Sequence, residues 1–281
     1  MKSASDVCSE PTRPPASEWC TPPPELSLSA HTVHVWRADL DLAAAYLRCL
    51  EQSLSTDERK RASRFRFARD RDHFVGARGL LREILALYLN AKPGRLSFGY
   101  GAHGKPFLTG EHSTLRFNLS HSFDVMLLAV ANMREVGVDV EGMRNIGLVM
   151  DEIGDSVLSG PERQALARFG GEDKRKAFLR FWTLKEAYIK ADGRGVSLPL
   201  QRIDVSSPEG RVAVPDESTG EWRTCPRWEL RTLATIPGYV AALAAEGQDW
   251  RLALWQWPGE SSNSPARGGQ SPWYSEGGRA P

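Results

Sequence analysis

The stretch Leu54-Ser-Thr-Asp-Glu-Arg-Lys-Arg-Ala-Ser-Arg-Phe65 returns in part 104 residues later, as Leu158-Ser-Gly-Pro-Glu-Arg-Gln-Ala-Leu-Ala-Arg-Phe169. Leu, Ser, Glu, two Arg and Phe hold the same places in both copies. In each copy Glu follows Ser by three residues, the pattern of a capping box at the start of a helix. Helix starts can look alike by chance, but chance does not explain a register that continues to Leu80 and Leu184.

The same offset relates the sequence on either side of this repeat. It places the strand-like Val33-His-Val-Trp-Arg37 over Gly137-Val-Asp-Val-Glu141, and it pairs Phe74 with Phe178. We therefore predict an α+β protein, a pseudo-twofold duplication of two similar α+β halves. A duplicated fold has a natural cleft at the junction of its halves, where ligands often bind.

The composition changes at both ends of the 281-residue chain. Residues 1–30 contain six prolines and few large aliphatic side chains, so they bury too little apolar surface to offset the chain entropy. Residues 258–281 are rich in Gly, Ser and Pro. We predict disorder at both ends, an N-terminal half over residues 31–134, and a C-terminal half with a metal site over residues 135–257.

Hydrophobic periodicity and turn signals give the elements of each half. In the first half we predict strands over 33–38 and 96–99, helices over 41–53, 55–67 and 71–90, and an antiparallel meander of strands over 115–119, 124–131 and 135–141. In the second half we predict helices near 159–169 and 172–191, the latter ended by Gly193, and strands over 203–206, 211–214, 227–233, 238–245 and 251–257.

The overall composition is that of a globular protein. It is 41% hydrophobic and 25% charged, and a net charge of +1 argues against a surface built wholly for nucleic acid. No apolar run approaches the ~18 residues of a membrane span, and residues 1–30 lack a signal-peptide core. The four cysteines form no CxxC pair and no zinc pattern. We expect a cytoplasmic protein that binds neither membrane nor nucleic acid.

The segment Gly137-Val-Asp-Val-Glu141 places two carboxylates on one face of a strand. Side chains alternate along a strand, so Val138 and Val140 point to the core while Asp139 and Glu141 point the other way. Two like charges side by side repel, and a cation between them relieves the repulsion. Oxygen ligands without His or Cys suit Mg²⁺. The alternative is a solvated strand face.

The segment Phe181-Trp-Thr-Leu-Lys-Glu-Ala-Tyr-Ile-Lys190 is helical in pattern. We place Trp182, Lys185, Glu186 and Lys190 on one side of that helix. Glu186 and Lys190 alone would be an ordinary surface ion pair, Lys185 a solvated charge and Trp182 a packing residue. Set against the strand, Glu186 supplies a third carboxylate and Lys190 faces any phosphate held there.

Further segments offer donors for phosphate groups. Phe117-Asn-Leu-Ser-His-Ser122 ends a strand with hydrogen-bonding side chains, which a turn alone would also explain. Gly104-Lys-Pro106 holds a lysine in a turn. Between Arg59 and Arg82 lie nine basic residues against two Asp, which fits a solvated helix face, a phosphate site or a nucleic-acid surface. Three carboxylates for a cation and several donors for phosphates together match coenzyme A.

At these positions the sequence resembles the Sfp-type 4′-phosphopantetheinyl transferases. Gly104-Lys-Pro106, Phe117–Ser122, Gly137–Glu141 and Trp182–Lys190 match the signature of that family in order and spacing. The resemblance covers about residues 31–250 and implies a monomer of two similar halves with coenzyme A bound between them. It implies transfer of the phosphopantetheine arm of coenzyme A to a serine of an apo carrier protein, with release of 3′,5′-ADP.

The resemblance also implies roles for individual residues. Asp139, Glu141 and Glu186 hold Mg²⁺ on the pyrophosphate, Lys190 steadies the leaving group, and Glu186 is the candidate base for the serine. The residues expected to contact the phosphates of coenzyme A are Lys105, Ser120, His121, Lys190, Arg61 and Arg78.

Two other functions stay open at this stage. A non-catalytic module that binds coenzyme A or a carrier protein would keep the phosphate donors but has no need of three carboxylates. A nucleic-acid binder using residues 59–82 would need stacking aromatics or a reading helix, and neither is visible. The sequence does not indicate which carrier protein is modified.

Overall fold

A computed structural model describes residues 18–110, 114–144, 146–194, 199–216, 218–234 and 236–258. Its elements are β1 (Thr32–Asp39), α1 (Ala44–Ser53), α2 (Thr56–Ala62), α3 (Ala68–Leu89), β2 (Phe98–Tyr100), β3 (Pro106–Leu108), β4 (Leu115–Ser122), β5 (Val125–Asn132), β6 (Val136–Gly142), α4 (Ile146–Val157), α5 (Gly160–Leu166), α6 (Gly171–Asp192), β7 (Arg211–Pro215), β8 (Trp222–Thr232), β9 (Tyr239–Glu246) and β10 (Arg251–Gln256).

The predicted α+β duplication is confirmed by the element order. Helices α2 and α5 are 7 residues long, and α3 and α6 are 22 residues long. Both short helices begin with a capping box, in which the side chains of Ser55 and Ser159 accept hydrogen bonds from the backbone of Glu58 and Glu162. The internal repeat therefore records two copies of one strand–helix–helix–helix unit.

Two four-stranded sheets lie at the centre, with strand orders β10-β1-β5-β4 and β6-β9-β8-β7. Side chains of β5 alternate between two cores: Leu128 faces α1 and α3, and Leu127 faces the second sheet. In β6, Val138 lies in the core between the sheets. The second sheet packs its other face against α6. This layering gives each sheet one face toward its helices and one toward the other sheet.

The predicted meander is wrong at its third strand. Strands β4 and β5 form a hairpin, but β6 pairs antiparallel with β9 in the second sheet, from Val136 opposite Ala245 to Gly142 opposite Tyr239. This pairing buries the valines of β6 between the sheets and turns its other face to α6. Strands β4 and β6 are consequently the edge strands of two different sheets.

The structure also departs from the predicted boundaries at both ends. Strand β10, which the prediction assigns to the second half, pairs in parallel with β1 of the first sheet. The backbone of Cys20 donates to Leu254 at 3.0 Å and accepts from Gln256 at 2.8 Å, and Trp19 packs on the core between the sheets. Residues 18–30 thus belong to the fold. The remainder of the predicted leader and tail, residues 1–17 and 259–281, lies outside the described residues.

Smaller differences concern single elements. Helix α4 was not predicted, because two glycines and short polar breaks interrupt its apolar pattern. The predicted strand at 203–206 is reduced to one bridge between Asp204 and Ala213, and β3 adds a partner for β2. Gly193 ends α6 in the left-handed conformation, as predicted. No helix in the described part of the chain is long and apolar enough to cross a membrane.

Gly137 sets the distance between β6 and α6. A Cβ atom at this position would lie 2.0 Å from the carbonyl oxygen of Ala187 and 2.4 Å from the backbone nitrogen of Ala191. Real side chains do not approach backbone atoms so closely. The missing side chain therefore permits the strand to lie directly on the helix, and it brings the acidic face of β6 to the side chains of α6.

We predict that Gly137→Ala destabilises the protein by about 3 kcal/mol or more, since neither backbone can yield without separating strand from helix. The measurement is urea unfolding followed by circular dichroism. Gly154→Ala is the matched control, because its Cβ would meet only a ring carbon of Phe178 at 3.9 Å. In a helix interior that change should stabilise by about 0.5–1 kcal/mol. Equal stabilities for the two variants would contradict the close-approach argument.

Candidate functional site

The two edge strands β4 and β6 lie side by side and are joined by side chains. Asn118 accepts a hydrogen bond from the backbone of Val138 at 2.9 Å. Ser120 donates to Asp139 at 2.9 Å. Ser122 donates to the Glu141 carboxylate at 3.0 Å and accepts from the next backbone amide at 3.2 Å. Every second residue of β4 thus bonds to β6, so β4 covers an edge that would otherwise expose free backbone donors.

Three acidic side chains meet where β6 faces α6. Asp139 and Glu141 point to this face, as the alternation of the strand predicts. On α6, Trp182, Glu186 and Lys190 form a half-buried stripe at helical spacing. The Trp182 side chain hydrogen-bonds to Glu141, and Glu186 is electrostatically coupled to both carboxylates of the strand. The structure therefore brings together the acids that the sequence indicates.

The charges of this cluster are only partly balanced. Lys190 donates to Asp139 at 2.6 Å and to Ser120 at 3.0 Å. Burial raises the pKa of Asp139, although the ammonium group of Lys190 opposes that rise. Burial and then the charge of Asp139 raise the pKa values of Glu141 and Glu186. One lysine thus faces three carboxylates that each lose hydration and repel the others.

One oxygen of Asp139 shows that the cluster has a further ligand position. Its Oδ2 atom is buried and accepts no hydrogen bond from the described residues. Buried polar atoms are nearly always paired, so an orphaned carboxylate oxygen requires a partner. With Glu141 and Glu186 beside it, the donor set is oxygen only, which is the set that Mg²⁺ prefers. The residues at this place therefore fit a hard divalent cation.

Asp139, Glu141 and Glu186 are adjacent, but their carboxylate oxygens are not all within ligand distance of a single point. Among the described residues, ligand atoms within 4.8 Å of one another occur instead at Asp39, Asp41 and Asp124, a second acidic cluster. That cluster has protein partners: His73 lies 3.3 Å from Asp41, and the hydroxyl of Tyr239 donates to Asp124. Local bonds account for the second cluster, whereas the orphaned oxygen distinguishes the first.

The placement predicted for Lys185 is wrong. Its side chain is 0% exposed and lies 2.6 Å from Glu162, which is also 0% exposed. The ammonium group further donates to the carbonyls of Val157 at 2.7 Å and Leu200 at 2.8 Å. Burial raises the pKa of Glu162 and lowers that of Lys185, and their mutual attraction opposes both shifts. Lys185 therefore anchors α6 to α5 and does not share the face of Glu186.

A cavity of ≈ 660 Å³ lies next to the acidic cluster, within the first half, between the helices α2 and α3 and the turn after β2. Its basic residues come from α2, α3 and β4, and its apolar wall from β2 and the loop to β3. The lining residues used below are Glu58, Arg61, Arg78, Phe98, Tyr100 and His121.

Arg78 and Arg61, two of the predicted phosphate ligands, line this cavity, but their side chains have different partners. Arg78 is paired with Glu58, which also binds Arg82 at 2.7 Å. Arg61 stacks on Phe74, with 5.3 Å between the guanidinium carbon and the ring centroid. Within the described ranges no carboxylate lies at salt-bridge distance from Arg61, so its charge is uncompensated.

His121 faces the cavity from the end of β4. The surrounding protein, followed by the charges of His73 and Lys190, lowers the pKa of His121 from its usual 6.5. The lowered pKa favours the neutral imidazole in the free protein. An anion in the cavity would supply the charge that favours the protonated form.

The structure does not bring Lys105 into this cavity. Its ammonium group lies 2.8 Å from Glu135 and donates to the carbonyl of Ala191 at 3.0 Å. Its neighbours Gly104 and Pro106 line the cavity with backbone and ring atoms. Lys105 thus ties the turn of the first half to the end of α6, and it lines a separate cavity of ≈ 620 Å³.

The basic stretch from Arg59 to Arg82 is not one free cationic face. Arg78 and Arg82 share the carboxylate of Glu58, and Arg71 lies 2.7 Å from Glu51. Only part of the stretch reaches the cavity. The stretch therefore combines paired cations with exposed ones.

Family comparisons agree with this geometry. Residues 36–133 match the family "4'-phosphopantetheinyl transferase, N-terminal", and residues 135–244 match the "4'-phosphopantetheinyl transferase superfamily". The 4'-phosphopantetheinyl transferase HetI of Nostoc sp. (strain PCC 7120 / SAG 25.82 / UTEX 2576) is 36% identical over 241 residues, which are 85% of this chain and 98% of HetI. The chain belongs to the 4′-phosphopantetheinyl transferase family.

Two further relatives span most of this phosphopantetheinyl transferase. The putative 4'-phosphopantetheinyl transferase slr0495 of Synechocystis sp. (strain ATCC 27184 / PCC 6803 / Kazusa) is 32% identical over 197 residues, 68% of this chain and 78% of the relative. The 4'-phosphopantetheinyl transferase Sfp of Bacillus subtilis (strain 168) is 26% identical over 200 residues, 70% of this chain and 84% of Sfp. The resemblance seen in the motifs is thereby confirmed.

Sequence reasoning gave too little weight to three residues of this transferase. The sequence places Asn118 and Ser122 at the end of a strand as donors for phosphate, with a turn as the alternative, and it leaves Trp182 open as a packing residue. In the structure the first two bond to β6 and the third to Glu141. The period-two spacing of Asn118, Ser120 and Ser122 was the available signal, because it places all three on one face of β4.

We predict that Lys185→Met and Glu162→Gln each cost about 3–5 kcal/mol of unfolding free energy, because each leaves one charge buried without its partner. The double variant should cost less than the sum by about 1–3 kcal/mol, since it removes both charges. Urea unfolding of the four proteins measures this coupling. Glu172→Gln is the control, because its ion pair with Lys176 is exposed and should not affect stability. Additive losses would contradict the buried pair.

Proposed function

We propose that this protein transfers the 4′-phosphopantetheine group of coenzyme A to a serine of an apo carrier protein and releases 3′,5′-ADP. The observation that supports it is the set of three carboxylates with an orphaned Asp139 oxygen beside a basic cavity. A module that only binds coenzyme A would gain nothing from burying three mutually repelling acids. Membership of the family adds independent support.

Asp139, Glu141 and Glu186 are the proposed ligands of Mg²⁺. When bound, this ion neutralises charge on the pyrophosphate of coenzyme A. Lys190 lies within reach of the same phosphates, because its ammonium group is 2.6 Å from Asp139 and its side chain is 29% exposed. We assign to Lys190 the stabilisation of the negative charge that develops on the leaving 3′,5′-ADP.

The cavity beside the acids is the proposed site for the nucleotide part of coenzyme A. Arg61, Arg78 and His121 offer donors for its phosphates, and Phe98 and Tyr100 offer ring surfaces. Ser120 lies on β4 between the cavity-lining residues Leu119 and His121, and its hydroxyl bonds to Lys190 and Asp139 of the acidic cluster. For Lys105 to contact a phosphate, its ammonium group would have to leave Glu135.

The acceptor serine must lose a proton as its oxygen attacks the phosphorus. A bond forms between that oxygen and the β-phosphorus of coenzyme A, and the bond between this phosphorus and the oxygen of 3′,5′-ADP breaks. Glu186 is the proposed acceptor of the serine proton, because its carboxylate lies on the face of α6 that meets Asp139 and Glu141, where the reacting phosphate would be held.

The remaining proposals concern assembly and location. A monomer suffices for the reaction, because all residues assigned a role lie in one chain. We place the enzyme in the cytoplasm, where reducing conditions suit Cys20, Cys49 and Cys225, which form no disulfide in the described part of the chain. The acceptor is a carrier protein of fatty-acid, polyketide or peptide synthesis, and a panel of apo-carriers distinguishes these.

We predict that Asp139→Asn and Glu186→Gln each lower kcat/KM by about 10²–10³-fold or more, because each removes a charge that binds the cation at the reacting phosphate. Intact mass spectrometry of apo-carriers incubated with coenzyme A and Mg²⁺ measures the transfer. Glu221→Gln is the control, because Glu221 is exposed beside β8. Near-normal turnover of either variant at saturating Mg²⁺ would overturn the metal assignment, and binding without transfer by the wild type would favour a binding module.

We predict that the pKa of His121 is lower than that of an ordinary histidine in the free protein and rises when 3′,5′-ADP is bound. In the free state the protein walls and two nearby cationic groups lower the pKa of His121, whereas a phosphate beside the ring favours its protonated form. Proton NMR of the imidazole as a function of pH checks both values. The His121 signal is the one missing from the spectrum of the His121→Gln variant. An identical pKa in both states would contradict a phosphate contact.

A further inference from the structure

The turn between β4 and β5 holds an aromatic residue in a backbone conformation that favours glycine. It consists of Phe123 and Asp124, and the φ angle of Phe123 is 49°. In a two-residue hairpin turn, a positive φ at the first position is usually supplied by glycine. For a bulky side chain this conformation is strained, and such strain clusters at functional sites. The ring at this position therefore calls for a functional explanation.

The surrounding structure holds the turn in place. The backbone of Leu40 donates to the carbonyl of Asp124 at 2.7 Å, which fixes the turn to the end of β1. The hydroxyl of Tyr239 donates to the Asp124 carboxylate, which fixes it to β9 of the second sheet. The strained conformation of Phe123 is thus imposed by contacts with both sheets.

The ring of Phe123 lies at the open end of the acidic cluster. It covers Gly142, where an added Cβ would come within 2.5 Å of two ring atoms. Gly142 directly follows Glu141, and exposure rises along β6 from the buried Asp139 to the half-buried Glu141. The ring nevertheless remains part of a residue that is 39% exposed. An apolar surface therefore borders the side from which solvent reaches the carboxylates.

A second group braces the ring at this border. The guanidinium carbon of Arg144 lies 5.5 Å from the centroid of Phe123, a distance typical of a cation–π contact. Arg144 and Arg69 also lie close enough to Asp124 to lower its pKa, after the larger effect of Tyr239. The ring is thus presented in one orientation among cationic groups.

A macromolecular acceptor must pass this border. Under the proposed function, its serine oxygen has to reach the phosphate held by Asp139, Glu141 and Glu186, while the chain that bears the serine stays outside. The half-exposed end of β6 offers that approach, and Phe123 is the large apolar residue beside it.

We propose that the ring of Phe123 is a docking contact for the carrier protein, which places an apolar side chain near its acceptor serine on this ring. The inference rests on the proposed function and extends it to the residue that selects the acceptor. Since the ring makes no contact with the cavity assigned to coenzyme A, its removal should weaken carrier binding alone.

The chain supplies a matched control in Met133. It too is a non-glycine residue with a positive φ, 54°, and it is 73% exposed in the turn between β5 and β6. That turn lies at the opposite end of β6 from Glu141. Replacing either residue with glycine relieves the backbone strain and removes an exposed apolar side chain, but only Phe123 borders the acids.

The experiment compares wild type, Phe123→Gly, Phe123→Trp and Met133→Gly with an apo peptidyl carrier domain, coenzyme A and Mg²⁺. For Phe123→Gly we expect a KM for the carrier about tenfold higher, since buried aromatic contacts dominate many interfaces. Its KM for coenzyme A and its kcat at saturating carrier should stay unchanged, and its Tm should not fall. Phe123→Trp should restore the carrier KM, and Met133→Gly should leave it unchanged.

Several outcomes would overturn the inference. These are an unchanged carrier KM in Phe123→Gly, an equal rise in the KM for coenzyme A, or the same effect in Met133→Gly. If the wild type transfers phosphopantetheine and Phe123→Gly has the same KM for the carrier, the docking contact alone is refuted. A wild type that adds no phosphopantetheine to any carrier would refute the proposed function, and the docking contact with it.

Discussion

Hydrogen bonds between two sheet edges hold the functional region of this protein together. Strand β6 is an edge strand, and its neighbour β4 belongs to the other sheet. Side chains of Asn118, Ser120 and Ser122 cross the gap instead of backbone groups. Side-chain bridges keep the strands further apart than a ladder would and leave room for charged groups between the halves. The acidic face of β6 depends on this arrangement, because a backbone ladder to β4 would close the gap.

The duplication explains how two copies of one fold unit place opposite charges on the two sides of a single site. The capping-box acid is conserved between the repeats as Glu58 and Glu162, yet the partners differ. Glu58 binds Arg78 and Arg82, which stand beside the cavity, whereas Glu162 binds Lys185 in the interior. The repeat offset places Glu186 where the first half has Arg82. Under the proposed function, one copy offers cations to phosphates and the other offers carboxylates to a metal ion.

Local sequence pattern predicts the structure correctly where a single strand or helix determines it. The alternation of Gly137–Glu141 predicted which face bears the acids, and the repeat predicted two matching helices. Local pattern does not determine the structure where distant segments compete for the same surface. Strand β6 pairs with β9 instead of β5, with the first sheet on one of its faces and α6 on the other, and Lys185 is buried because its partner Glu162 lies on another helix. Charge and spacing within one segment contain no information about such partners.

Strand β10 determines when the first sheet can be completed during folding, which the internal repeat does not indicate. This strand completes the first sheet by pairing with β1, from Thr32 opposite Arg251 to Arg37 opposite Gln256. The sheet of the N-terminal copy can therefore not be finished until nearly the whole described chain has been synthesised. Contacts between such distant residues slow folding, because a large loop must close first. The two copies are thus one cooperative unit, and a cut between them would leave the earlier copy with an unprotected edge.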